Sequence, residues 1–157
     1  MGTSESRNMR VLPAILCGGL ICGALDITAA FIVYGAFGLM PIPLLQGIAA
    51  GLLGKRAFAG GLATALLGLF LEFFIATSAA AVYVLVSRIL IFLTRRAALA
   101  GALYGIAVYF FMQLVVLPLS EAIHRPFSLK YTIIGVVIHI CCVGLPIALV
   151  TRRFARQ

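Results

Sequence analysis

The chain has 157 residues, room for one domain. Hydrophobic residues make up 64% and charged residues 10%, against roughly 45–50% and about 25% in soluble domains, and mean hydropathy is +1.20. This composition excludes a soluble globular domain and a disordered chain. Four cysteines are too sparse for a disulfide scaffold, and the net charge of +8 lies in short caps between apolar runs rather than in a nucleic-acid-binding stripe.

Residues 1–10 read as a polar tail. Arg7 and Arg10 precede an apolar run that continues to Met40, too long for the core of a signal peptide, so it is read as a retained first helix. Gly2 and Ser6 match the myristoylation pattern. Four segments reach the roughly 20 residues that a membrane span needs: 11–40, 57–87, 97–119 and 131–151. The first two exceed that length and must tilt or protrude. Residues 41–54, PIPLLQGIAAGLLG, are uncharged but too short to span. Pro41 and Pro43 stop the first helix, and a short interfacial or re-entrant helix follows. Residues 88–96 form a second interfacial piece, 120–130 the most polar loop, and 152–157 a basic tail. The predicted fold is an all-α integral membrane bundle of four spans in a single domain.

Four spans put both termini on one side. That side carries Arg7, Arg10, Arg88, Arg95, Arg96, Arg152, Arg153 and Arg156; the other carries Lys55, Arg56, Arg125 and Lys130. The bias predicts cytoplasmic termini, with Arg95, Arg96, Arg152 and Arg153 meeting lipid headgroups. Helix association in lipid relies on close backbone contact, which small residues allow. Gly19 and Gly23 form one GxxxG step, Gly47 and Gly51 a second, and Gly101 and Gly105 a third. Gly60, Thr64, Gly68, Ala76 and Ala80 share a four-residue spacing in which the missing position is Glu72.

Three titratable residues fall inside apolar runs: Asp26, Glu72 and His139. A carboxylate at the bilayer centre costs about 2.5–3.5 kcal/mol even on the mild insertion scale, so two of them imply partners or a use. Their positions beside small residues turn them inward. Gln113, and Gln46 in the short segment, extend the polar set. With no Lys or Arg at this depth, either both acids are protonated and hydrogen-bonded, or one is ionised against a charged His139. Three readings follow: interhelical glue, a proton or cation relay, and a ligand or cofactor site.

Other chemistry is not legible. Asp26, Glu72 and His139 lack a local metal-ligand spacing, and His124 falls in a loop rather than opposite His139, which argues against a bis-histidine haem. Cys17, Cys22, Cys141 and Cys142 form no CxxC pair and read as small hydrophobes. No nucleophile elbow, Walker A loop, dinucleotide fingerprint or zincin motif occurs. The expectation is no metal and no cofactor.

The order of features is a glycine-rich first helix, LLQGIAAGLLG after a proline break, GALYGIAVYFFMQLVVLPLS and a His-bearing last helix with a basic end. In this it resembles the small uncharacterised four-span membrane proteins of bacteria. The stretch from AGAL (Ala100 to Leu103) to LPL (Leu117 to Leu119), with the final helix, is similar to YagU-type inner-membrane proteins. The resemblance implies a bacterial inner-membrane location and no particular reaction. Small multidrug-resistance transporters share the size, the four spans and an acid in the first helix, here Asp26. The second acid, the absence of Trp and the long first loop depart from them. The leading expectation is a non-enzymatic accessory or homo-oligomeric membrane subunit, its partners being lipids, further copies or a larger membrane complex, and not nucleic acid. The alternatives are a small proton-coupled transporter or channel using Asp26 and Glu72 with His139, and a lipid-, quinone- or metal-binding membrane enzyme or redox subunit.

Overall fold

The computed structural model describes residues 11–122 and 128–155. The polar tail with its myristoylation pattern, His124 and Arg125 of the polar loop, and Arg156 lie outside the described residues. Four helices are long and apolar enough to cross a membrane. They are α1 (Val11–Gly35), α3 (Gly61–Ser87), α5 (Ala97–Leu119) and α6 (Leu129–Ala155). Two shorter helices intervene, α2 (Pro41–Leu53) and α4 (Phe92–Arg95). No strand occurs among the described residues. The protein is an all-α, multi-pass membrane bundle.

α1 stops short of Met40. Gly38 adopts φ 84°, its N–H bonds the Gly35 carbonyl at 2.9 Å, and the Leu39 N–H reaches back to the Tyr34 carbonyl at 3.0 Å. This paired capping pattern ends a helix on a left-handed glycine and leaves residues 36–40 as a turn, apolar though they are. Pro41 then opens α2 at a position where its missing N–H costs nothing. Gly54 (φ 57°) closes α2, a 3₁₀ turn (Gly54–Ala59) carries Lys55 and Arg56, and α3 begins.

α2 lies alongside the first turns of α3. Gly68 sits against the Leu45 carbonyl, where a Cβ would collide with backbone. The 5%-exposed Gln46 donates from Nε2 to the Gly61 carbonyl at 2.9 Å and to Thr64 Oγ1 at 3.4 Å, while Thr64 Oγ1 donates to the Ala57 carbonyl at 2.6 Å. These bonds let an uncharged segment too short to span fold back onto the bundle. Gly60 and Thr64 therefore serve this turn, where the atoms nearest a Gly60 Cβ are those of the Thr64 side chain.

Two long helices contain a wide π turn, Met112–Val116 in α5 and His139–Gly144 in α6. Each ends just before a proline, Pro118 and Pro146. A proline ring crowds the carbonyl four residues earlier, and five-residue bonding relieves that clash. The Leu117 N–H accordingly bonds Met112 and the Leu145 N–H bonds Ile140, each five residues back.

The interior is built from small side chains and the exterior from large ones. Ala14, Gly18, Gly19, Cys22 and Gly23 face inward from α1, whereas Leu12, Leu16, Leu20 and Leu25 face out. This inversion suits lipid, where burying leucine gains little and backbone proximity gains dispersion contact. α1 packs on α3 and α6, and α5 packs on α6. Tyr83 and Tyr104 meet edge-to-face at 5.0 Å between α3 and α5, and Tyr104 Oη donates to the Ala79 carbonyl at 2.8 Å.

Candidate functional site: an acid pair between the first two spans

The α1–α3 crossing is set by glycine. A Cβ on Gly19 would lie 2.6 Å from Thr77 Cα, and one on Gly23 would lie 2.7 Å from the Phe73 ring and 3.3 Å from Ala76. Such proximity is open only to residues without a side chain. The next positions along this antiparallel zip are Asp26 on α1 and Glu72 on α3. Their carboxyl groups interact side chain to side chain. Asp26 lies three residues past the centre of α1 at Gly23, and Glu72 lies two residues before the centre of α3 at Phe74. Both acids therefore sit near mid-depth.

Asp26 keeps Oδ1 buried with no hydrogen-bond partner among the described residues. Among those residues the charged neighbour that acts on Glu72 is Asp26 itself. Cys22, one helical turn before Asp26 and 1% exposed, lies within electrostatic range of both acids, and Cys142 of α6 lies within range of Asp26. Phe73 and Ala76 close on Gly23, one turn before the pair. Among the described residues no three His, Cys, Asp or Glu side chains converge as a metal-ligand set.

His139 and Gln113 are both tied to Tyr109. His139 donates from Nδ1 to the Gly135 carbonyl at 2.9 Å and meets the Tyr109 ring edge-to-face at 5.3 Å. Gln113 donates from Nε2 to Tyr109 Oη at 2.9 Å. Tyr109, 6% exposed, thereby joins a residue of each π turn. Sequence spacing puts Cys22 one turn before Asp26 and Cys142 three residues after His139, but it does not point to Tyr109 as a partner of His139. The signal for Tyr109 is its four-residue spacing to Gln113. Gly101 and Gly105 lie against Gly144 and the His139 carbonyl respectively and hold α5 on α6.

The arginines cluster at one end. Arg88 follows α3, Arg95 ends α4, Arg96 lies between α4 and α5, and Arg152 and Arg153 occupy the last turns of α6. Lys55, Arg56 and Lys130 lie at the opposite end, where Lys130 Nζ sits 4.6 Å from the Phe37 ring centre. No family model, curated protein or solved structure matches the chain.

Proposed function

We propose that the protein is a small, non-enzymatic proton-coupled transporter or channel of the bacterial inner membrane, with both termini cytoplasmic. Asp26 and Glu72 are its proton-binding pair. The observation that carries this reading is the apposition of two carboxyl groups near mid-depth, with Asp26 Oδ1 left without a partner. Ionisable groups at this depth are costly and mark ion pathways and relays. A proton shared by the pair lets it sit in the low-dielectric interior, and its release to one side makes the pair a carrier. His139, beside Tyr109, serves as a second station. Arg95, Arg96, Arg152 and Arg153 meet the phosphate layer of the cytoplasmic leaflet.

Difference infrared spectroscopy on the purified protein tests this reading. A carboxyl band that titrates and is lost in Glu72→Gln, together with proton uptake into proteoliposomes that the same change abolishes, is the expected result. A wild-type protein with no titrating carboxyl band and no proton flux would overturn it.

A second reading rests on Gln113, an amide exposed on the outer surface of a spanning helix. A polar group there favours a contact with another helix, as in an accessory or homo-oligomeric subunit. Loss of a cross-linked oligomer in Gln113→Leu would support it, and a monomeric wild type would rule out self-association.

A further inference from the structure

The core shared by the spanning helices fills one half of the bundle. Cys22 of α1, Ala80 and Tyr83 of α3, Ala97 of α5, and Ile147 and Ala148 of α6 pack together there, each at most 1% exposed. All six lie on the arginine side of Asp26, Glu72 and the start of the α6 π turn at His139.

On the other side of the acids the helices pair off. Past Asp26, α1 buries Ile27 and no later residue. Before Glu72, α3 buries Ala65 and Gly68, and Gly68 lies on the Leu45 carbonyl of α2. Past Tyr109, α5 buries none of its residues, and before His139, α6 buries Gly135, which lies on the Tyr109 ring. One lobe is thus α1 with α2 and α3, and the other is α5 with α6. Among the described residues the two lobes share no cluster of buried side chains in this half. They meet again at surface turns, where the Tyr131 ring lies 5.8 Å from that of Phe37 and the Glu121 N–H donates to the Gly51 carbonyl at 3.0 Å.

The acids stand at the floor of the space between the lobes. Cys22 and Asp26 lie four residues apart on one face of α1, and Glu72, Ala76 and Ala80 share one face of α3. One turn towards the arginine end these faces enter the shared core. At the acids they therefore turn into the space where that core is missing. Both acidic residues are partly exposed there. Exposure to lipid would be costly for a carboxyl group, whereas polar groups at membrane depth are tolerated where they line water.

We propose that water reaches the acid pair from the Lys55 end alone, through a cleft between the two lobes, and that the packed arginine half is a closed barrier. The use of the cleft rests on the proton-coupled reading; its geometry does not. One side of the membrane is thereby assigned as the side that loads the pair in this state.

Thiol labelling of the full chain in lipid vesicles tests the proposal. Cys142, within electrostatic range of Asp26, and Cys22, in the sealed core, are each kept as the sole cysteine. Asp26→Cys in a cysteine-free background is a third reporter, read at the site itself. Lys55→Cys and Arg96→Cys, both at exposed positions, mark the two sides. A membrane-impermeant methanethiosulfonate is applied to one side at a time. Cys142 and Asp26→Cys should react only from the side that labels Lys55→Cys, and Cys22 from neither. Labelling of either reporter from the Arg96→Cys side would overturn the proposal. So would a Cys142 that the impermeant reagent reaches from neither side, since the space would then hold lipid or be closed. The assay reads no flux, so the two readings fail separately. One-sided labelling without proton uptake would keep the cleft and sink the transporter, and proton uptake with labelling from the arginine side would do the reverse.

Discussion

Gly144 of α6 rests on the carbonyl oxygen of Gly101 in α5, so closely that a Cβ on Gly144 would overlap it. The atom in the way is backbone, which cannot rotate aside. Gly144→Ala should therefore push the two helices apart and cost at least the roughly 1–3 kcal/mol typical of overpacking. Gly47, on the open side of α2, has no heavy atom within 4 Å of the same added carbon. Gly47→Ala should be neutral or stabilising by up to about 1 kcal/mol, because alanine loses less backbone entropy in a helix. Reversible unfolding in mixed micelles would check both, and similar costs at the two sites would contradict the α5–α6 contact described here.

The Gln46 side chain supplies the bridge from α2 to the start of α3. Gln46→Leu removes the 2.9 Å bond to the Gly61 carbonyl and the 3.4 Å bond to Thr64. The expected cost is about 1 kcal/mol, the usual net value of a hydrogen bond. The loss should be local: faster amide exchange across residues 54–64 with unchanged protection in α5 and α6. Uniformly faster exchange would mean that the α2 turn stabilises the whole bundle.

The four spans were legible because their signal is hydropathy, which lipid reads directly. α5 covers the same residues, 97–119, that its apolar run predicts. The end of α1 was not legible on that basis, since residues 36–40 are as apolar as a helix and only the φ of Gly38 ends it. The short helix after the proline break was legible from Pro41 and Pro43, but its seat on Gly68 is a tertiary fact. The depth of Asp26, Glu72 and His139 could be read by counting residues. Their facing could not. A π turn adds a residue and rotates the helix on one side of it by about 100° relative to a regular helix. His139 opens such a turn and Cys142 lies within it, so face assignments carried along α6 fail there. His139 turns to Tyr109 from the start of this turn.

Glu72 has Asp26 as a partner and His139 has Tyr109, which makes a quantitative prediction. A double-mutant cycle of Asp26→Asn with Glu72→Gln should return a coupling energy of about 0.6–2 kcal/mol, the range seen for polar pairs between membrane helices. Glu72→Gln combined with His139→Ala should be additive within about 0.5 kcal/mol, as for residues that share no partner. Chemical unfolding in mixed micelles would measure both cycles. Strong coupling of Glu72 to His139 would mean that the two groups act as one network.

Charge at the bundle ends predicts orientation and its sensitivity. Among the described residues five arginines mark one end, and Lys55, Arg56 and Lys130 mark the other. Orientation follows such Lys and Arg bias in short segments near span ends. A C-terminal reporter that is active only in the cytoplasm should be active when fused after Gln157. Arg95→Gln with Arg96→Gln removes two charges from the richer end and should yield a mixed population, whereas Lys55→Gln with Arg56→Gln should sharpen the original orientation. If the Lys55 and Arg56 pair proved to be the one whose removal scrambles topology, that end would be the cytoplasmic one.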